Sequence, residues 1–176
     1  AMNAATALEA DNRDDTAASL VQVQSQAKRM AAMLTDLLEF SQIGHKSEVS
    51  ELVDTAALAR EIIASIPRPD GLEIALEGQW PTFVTLAQPL DIVMRNLIDN
   101  AAKHHDRLTG TIVLHGETRP DSWIFSVTDD GPGIPPELRD RLFEPFVSGK
   151  AGGTGLGLPV VHRAVEAHRG VVLVDT

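Results

Sequence analysis

The segment at residues 89–103, Pro-Leu-Asp-Ile-Val-Met-Arg-Asn-Leu-Ile-Asp-Asn-Ala-Ala-Lys, constrains the fold more than any other. Leu90, Val93, Met94, Leu97, Ile98 and Ala101 recur at helical spacing, which predicts a helix with one apolar face that a second layer must cover. Pro89 suits its first turn, where a missing N–H leaves no bond unmade. Asn96, Asn100 and Lys103 fall at i, i+4 and i+7 and share a different face. Two readings of that polar stripe stay open. It is the solvated side of an amphipathic helix, or it is a ligand surface. In the second case carboxamide oxygens serve as hard neutral ligands for a Mg²⁺ that already holds phosphate oxygens, and the lysine meets the remaining phosphate charge.

The covering layer is written on both sides of this helix. Asp54 or Thr55 can cap a helix that runs to Ile66, and Pro67-Arg68-Pro69-Asp70-Gly71 forces a turn before the alternating strand Leu72, Ile74, Leu76. Further strands are expected at residues 83–86, 111–117 and 123–128, the last two joined by an Arg-Pro-Asp turn. A short helix at 137–142, a last helix from Thr154 and a strand at 171–174 complete the set. This order predicts an α+β sandwich with helices on one face of a mixed sheet. Ahead of it, Leu20, Val23, Ala27, Met30, Leu34 and Leu37 alternate by three and four, a coiled-coil-like seam on a long helix that Gly44 ends. That seam packs either on the chain's own domain or in a helix–helix bundle. The boundary is placed between residues 1–46, which carry this helix, and 47–176, the globular domain. The run at 171–174 has no closing turn or partner strand in the sequence, so that strand is expected to belong to a longer parent protein.

Two further motifs carry chemistry. Asp129-Asp130-Gly131-Pro132-Gly133-Ile134-Pro135 ends a strand; it is a common inter-strand turn, or a buried carboxylate that accepts from the exocyclic amine of adenine while glycines let the backbone approach the base. Gly152-Gly153-Thr154-Gly155-Leu156-Gly157-Leu158 opens a helix, where N–H groups and the positive end of the dipole seat phosphates; the alternative is a surface loop with no ligand. It is neither a dinucleotide fingerprint nor a Walker loop, since no strand leads into it and no Gly-Lys-Ser/Thr closes it. Between the two, Phe143 and Phe146 flank Glu144-Pro145 and are read as core anchors, and the Gly/Ser/Lys stretch after them as a mobile lid.

In their order these four elements resemble the N, G1, F and G2 boxes of the histidine kinase branch of the GHKL ATPases, with the Bergerat-type sandwich. The resemblance covers the chain from about Val53 onward. Lys28-Arg29-Met30 through Leu37-Leu38-Glu39-Phe40-Ser41 is similar to the second helix of a histidine kinase dimerisation hairpin. It implies ATP and Mg²⁺ as ligands, with Asn100 on the metal, Asn96 assisting and Lys103 on phosphate. His104 would line the pocket, and Asp129 with Gly131, Gly133 and Ile134 would read the adenine. Gly153, Thr154, Gly155, Leu156, Gly157 and Leu158 would hold phosphates, under a loop at 149–155 that closes over ATP. It also implies a homodimer through the hairpin in the intact protein, and a response regulator receiver domain as partner.

Two departures sharpen the expectation. ATP-hydrolysing relatives carry a glutamate at the position of Asn96, and an asparagine cannot act as a general base, which favours kinase chemistry. Kinases of this family also carry a phosphoacceptor histidine followed by an acidic residue. None of the six histidines, His45, His104, His105, His115, His162 and His168, has that setting, so the phosphoacceptor is expected upstream of Ala1 and this chain is expected not to autophosphorylate. The other readings are a non-hydrolysing nucleotide-binding or dimerisation module (a pseudokinase) and a GHKL ATPase. With 15 Lys+Arg against 25 Asp+Glu, the net charge of −10 argues against nucleic acid and anionic membrane as partners. The absence of cysteine fits a cytoplasmic setting, and no apolar run approaches the ~18 residues of a membrane span.

Overall fold

The computed structural model describes residues 19–20, 22–24, 26–27, 30–31, 33–34, 37–38, 49–149 and 153–175. Strand β1 (Glu51–Asp54) leads directly into helix α1 (Thr55–Ser65), whose N-cap Asp54 accepts from the Ala57 N–H at 3.0 Å. Strands β2 (Gly71–Gly78) and β3 (Thr82–Thr85) precede the long helix α2 (Ala87–His104). Then follow β4 (Thr109–Thr118), β5 (Trp123–Asp129), the short α3 (Pro136–Arg139) and α4 (Gly157–Ala167).

The sheet is mixed, as the order of elements predicts. β2 runs parallel to β4 with Ile74 opposite Ile112, and β5 runs antiparallel to β4 with Val127 opposite Leu114. β1 and β3 form a separate antiparallel pair. Leu72, Ile112 and Leu114 on one sheet face meet Ala59, Ile62 and Ile66 of α1 and Met94, Ile98 and Ala101 of α2. Burying side chains the size of Ile62 and Ile98, both fully buried, contributes roughly 1.5–3 kcal/mol each. At the far end of this core Trp80 lies over Gly116, where an added Cβ would come within 2.8 Å of the indole, and Phe125 sits 5.5 Å from the same ring. A smaller cluster, Ile92 with Val160 and Ala164, locks α4 onto α2.

Thr55 is a fully buried polar residue; its Oγ1 donates to the Pro81 carbonyl at 2.6 Å and ties the start of α1 to the loop before β3. Thr55→Val keeps the shape and removes the bond. It is expected to lower stability by about 1 kcal/mol, read as a lower urea midpoint at unchanged slope.

Three expectations are corrected. The run at 171–174 forms no strand: it has no hydrogen-bonded neighbour strand among the described residues, and Val171 and Leu173 are 80% and 89% exposed. The last helix begins at Gly157 rather than Thr154, because Gly155 adopts φ +67° and a left-handed residue interrupts a right-handed helix. Phe146 is not a core anchor. At φ +67° its backbone turns the ring outward to 65% exposure, whereas Phe143 is half-buried with its ring 4.8 Å from that of His162.

The described residues between 19 and 38 are helical, and Leu20, Val23, Met30, Leu34 and Leu37 on the predicted seam are exposed. The seam is therefore not packed on the chain's own domain. No helix among the described residues is long and apolar enough to cross a membrane.

Candidate functional site

The site is organised by the contact between α2 and the start of α4. Asn96 Nδ2 donates to the Ile92 carbonyl one turn back, at 2.8 Å, which orients the carboxamide and leaves Oδ1 facing α4. A Cβ placed on Gly157 would lie 2.8 Å from Asn96 Oδ1 and 3.6–3.7 Å from both terminal atoms of Asn100. A side chain at the first residue of α4 would press on the Asn96 carboxamide, while the Asn100 carboxamide lies at ordinary contact distance. Leu156, the N-cap, provides no side-chain acceptor for the helix N–H groups, so they and the two carboxamides converge on one small region. Two neutral oxygens beside the positive end of a helix fit a hard cation that is itself bound to phosphate oxygens.

Lys103 and His104 occupy the last turn of α2 and are exposed. Lys103 Nζ pairs with Asp99 Oδ2 at 2.5 Å, so its ammonium is held along the helix rather than toward Asn96. With the Lys103 side chain 67% exposed, the pair is screened by water and easily exchanged.

Asp129 is the last residue of β5, and its carboxylate is exposed rather than buried, because β5 pairs on one side only among the described strands and the chain turns away immediately after it. Its Oδ1 accepts from the Gly131 N–H at 3.0 Å, and a Cβ at Gly131 would stand 2.6 Å from the same oxygen and push the carboxylate from this position. Gly133 has φ +71° with open space around it, and the half-buried Ile134 is held through its carbonyl by Arg139 Nε at 3.2 Å.

Of the glycine-rich segment, residues 150–152 lie outside the described residues. Gly153 is exposed, the Thr154 hydroxyl accepts from Leu156 N–H at 3.4 Å, Leu156 is fully buried and Leu158 is half-buried. The Gly155 carbonyl accepts from Phe146 N–H at 2.9 Å, which joins this segment to the Phe143–Phe146 turn.

Sequence reasoning missed His105, Arg107 and Asp130. The His105 side chain is 1% exposed, and its Nε2 lies 2.8 Å from Asp130 Oδ1, which also accepts from the Thr111 N–H at 2.8 Å. The Arg107 guanidinium donates to the Asp130 carbonyl. The bond to Asp130 raises the His105 imidazole above its ordinary 6.5 against the opposing effect of burial, and the Arg107 carbonyl assists; in return Asp130 is held below 3.8, chiefly by His105 and then by the Thr111 N–H. Nothing in the spacing of residues 105 and 130 announces this pair.

Residues 85–176 match the model of the family described as histidine kinase-, DNA gyrase B-, and HSP90-like ATPase. The chain is 31% identical over 163 residues to the sensory histidine kinase/phosphatase NtrB of Vibrio alginolyticus, covering 86% of this chain and 46% of that protein. Among solved structures it resembles full-length ShkA in complex with AMPPNP, with a TM-score of 0.68 at 31% identity, over 78% of this chain and 31% of the other. It also resembles the histidine kinase AdeS of Acinetobacter baumannii, with a TM-score of 0.67 at 28% identity, over 81% and 69% of the two chains. The chain spans less than half the length of the curated relatives it matches. With its mixed sheet and the match over residues 85–176, the chain belongs to the histidine kinase-, DNA gyrase B- and HSP90-like ATPase family and carries the ATP-binding catalytic domain of the sensor histidine kinases.

Proposed function

We propose that this chain binds Mg·ATP across α2, the loop after β5 and the start of α4, and that in the intact protein it delivers the γ-phosphoryl group to a histidine on a hairpin helix. The observation that carries this reading is the convergence of Asn96 and Asn100 on Gly157 at the uncapped end of α4. Asn100, with Asn96 beside it, would hold Mg²⁺, and the metal would neutralise phosphate charge. Lys103, on exchanging Asp99 for phosphate, would add a positive charge, and His104 would line the pocket. Asp129 would accept from the adenine amine beside Gly131, Gly133 and Ile134, while Gly153, Thr154, Gly155, Leu156, Gly157 and Leu158 would seat the phosphates. The protein's contribution to transfer is positioning and electrostatics, because phosphoryl transfer asks for little covalent help. Asn96 cannot itself act as a general base on water, which disfavours hydrolysis.

No histidine of this chain has the phosphoacceptor's setting, so the chain alone would bind nucleotide with little or no autophosphorylation. The parent protein would act in the cytoplasm as a homodimer joined through the exposed seam at 19–38, and would pass its phosphoryl group to a response regulator receiver domain. Calorimetric titration with AMPPNP, with and without Mg²⁺, tests the reading. Wild type should bind more tightly with Mg²⁺. Asp129→Asn should bind about tenfold more weakly, through loss of a charge-assisted bond, with its Mg²⁺ dependence intact. A folded wild type that ignores AMPPNP sinks the reading.

A further inference from the structure

We propose that His105 is a positioning residue: its imidazole ties the exit of α2 to the loop after β5 through Asp130, and thereby fixes the Asp129 carboxylate to which adenine recognition is assigned above. The proposal rests on that assignment for its consequence, but not for its geometry.

The tie is built rather than incidental. The ring is wedged over Gly110, where a Cβ would stand 2.4 Å from its Cε1 and Nε2 and 2.7 Å from Asp130 Oδ1, so only glycine leaves room for the pair. Asp130 is anchored on β4 by two bonds to Thr111: its Oδ1 accepts from the Thr111 N–H at 2.8 Å, and its own N–H donates to the Thr111 carbonyl at 3.3 Å. The Arg107 guanidinium takes the Asp130 carbonyl from the other side. Asp130 lies between Asp129 and Gly131, the two partners of the turn that orients the Asp129 carboxylate, so whatever holds Asp130 holds that turn. A Cβ on Gly131 would also lie 3.7 Å from the His105 Cα, which places the turn directly against the helix exit.

The same geometry makes the tie respond to protonation. His105 Nδ1 stands between the Arg107 carbonyl at 3.1 Å and the Arg107 N–H at 3.3 Å. A charged ring donates to the carbonyl; a neutral ring that keeps its Nε2 proton for Asp130 accepts from the N–H instead. The charged groups facing the ring are Asp130 and Arg107. The raised imidazole contributes fully below 6.5 and loses that contribution as pH rises through its folded value. The depressed Asp130 contributes above 3.8 and loses it only as pH falls through its own lowered value. The charged pair is therefore intact between those limits, and it weakens on the alkaline side.

The test follows the Gly131 amide and the His105 ring by NMR across this pH range without nucleotide, then AMPPNP affinity at the same pH values. In wild type the Gly131 amide should titrate together with the His105 ring. In His105→Gln, which keeps a donor but cannot titrate, that amide should be flat and affinity should stay within about threefold of wild type with no pH step. His105→Ala should bind about tenfold more weakly below the transition, and its deficit should shrink above it. Asp130→Asn should lower the His105 midpoint and uncouple Gly131 from it. A Gly131 amide that does not follow the ring, or a His105→Ala chain with wild-type affinity and pH profile, overturns the proposal. Failure of wild type to bind AMPPNP would instead refute the assigned function, and the Gly131 titration would still decide whether the tie exists.

Discussion

Gly155→Ala is expected to lower the unfolding temperature by roughly 10 °C and to weaken AMPPNP binding at least tenfold. The residue is at φ +67°, where a side chain costs about 1–2 kcal/mol. The added methyl would also lie 2.6 Å from the Phe146 carbonyl carbon and 2.7 Å from the Val147 nitrogen and oxygen. These are backbone atoms of a segment already held by the Phe146 N–H bond to Gly155, so they cannot swing aside as a flexible side chain would. Overpacking of this kind adds about 1–3 kcal/mol. Gly133→Ala provides the internal comparison. At φ +71° it carries a similar conformational cost, yet nothing lies within 4 Å of its Cβ position, so its unfolding temperature should fall by clearly less. Differential scanning calorimetry of both variants measures the difference. Equal shifts would mean that the contact of Gly155 with the 146–147 backbone contributes nothing.

That comparison also shows what a sequence can and cannot convey. The glycine-rich run and the amphipathic helix were readable because their signals are local: helical spacing puts Ile98 and Ala101 on one face and Asn96 and Asn100 on another whatever the rest of the chain does. The strand pattern at Leu72, Ile74 and Leu76 and the later strands were readable for the same reason, and the observed β2, β4 and β5 extend one or two residues beyond the expected ends. Misreadings arose where a backbone angle or a distant partner decides the outcome. A positive φ at Gly155 delays α4 by three residues, and one at Phe146 turns a large apolar ring to solvent, although composition alone makes it a core candidate. Residues 171–174 have the composition of a strand, but a strand exists only as one side of a ladder.

The candidate site divides along the same line. Asn96 and Asn100 were found from one helix, but their meeting with Gly157 is a tertiary fact set by the packing of Ile92 against Val160 and Ala164. His105 and Asp130 are 25 residues apart and meet only because β4 carries Thr111 and Gly110 between them. The exposed Asp129 carboxylate follows from the edge position of β5, which a strand pattern does not encode. Local periodicity thus supplies the chemical groups, and the closing of the sheet decides which of them share a site.

The sharpest functional consequence concerns Asn100. Asn100→Ala is expected to weaken AMPPNP binding in Mg²⁺ by about tenfold to a hundredfold, the loss of one or two interactions with a charged group, and to bring it near the wild-type value without Mg²⁺. The fold should be unaffected, since Asn100 lies half-buried on the second turn from the end of the wholly helical α2 and alanine is the better helix former. Asn96→Ala should cost less affinity, because part of that carboxamide is already committed to the Ile92 carbonyl. The two variants thus separate metal holding from mere crowding around Gly157. Truncation of Asn96 relieves the one close approach, but removal of Asn100 alone should abolish the Mg²⁺ dependence. Retention of that dependence in Asn100→Ala, with wild-type thermal unfolding, would move the metal away from Asn100 and reduce it to a packing residue.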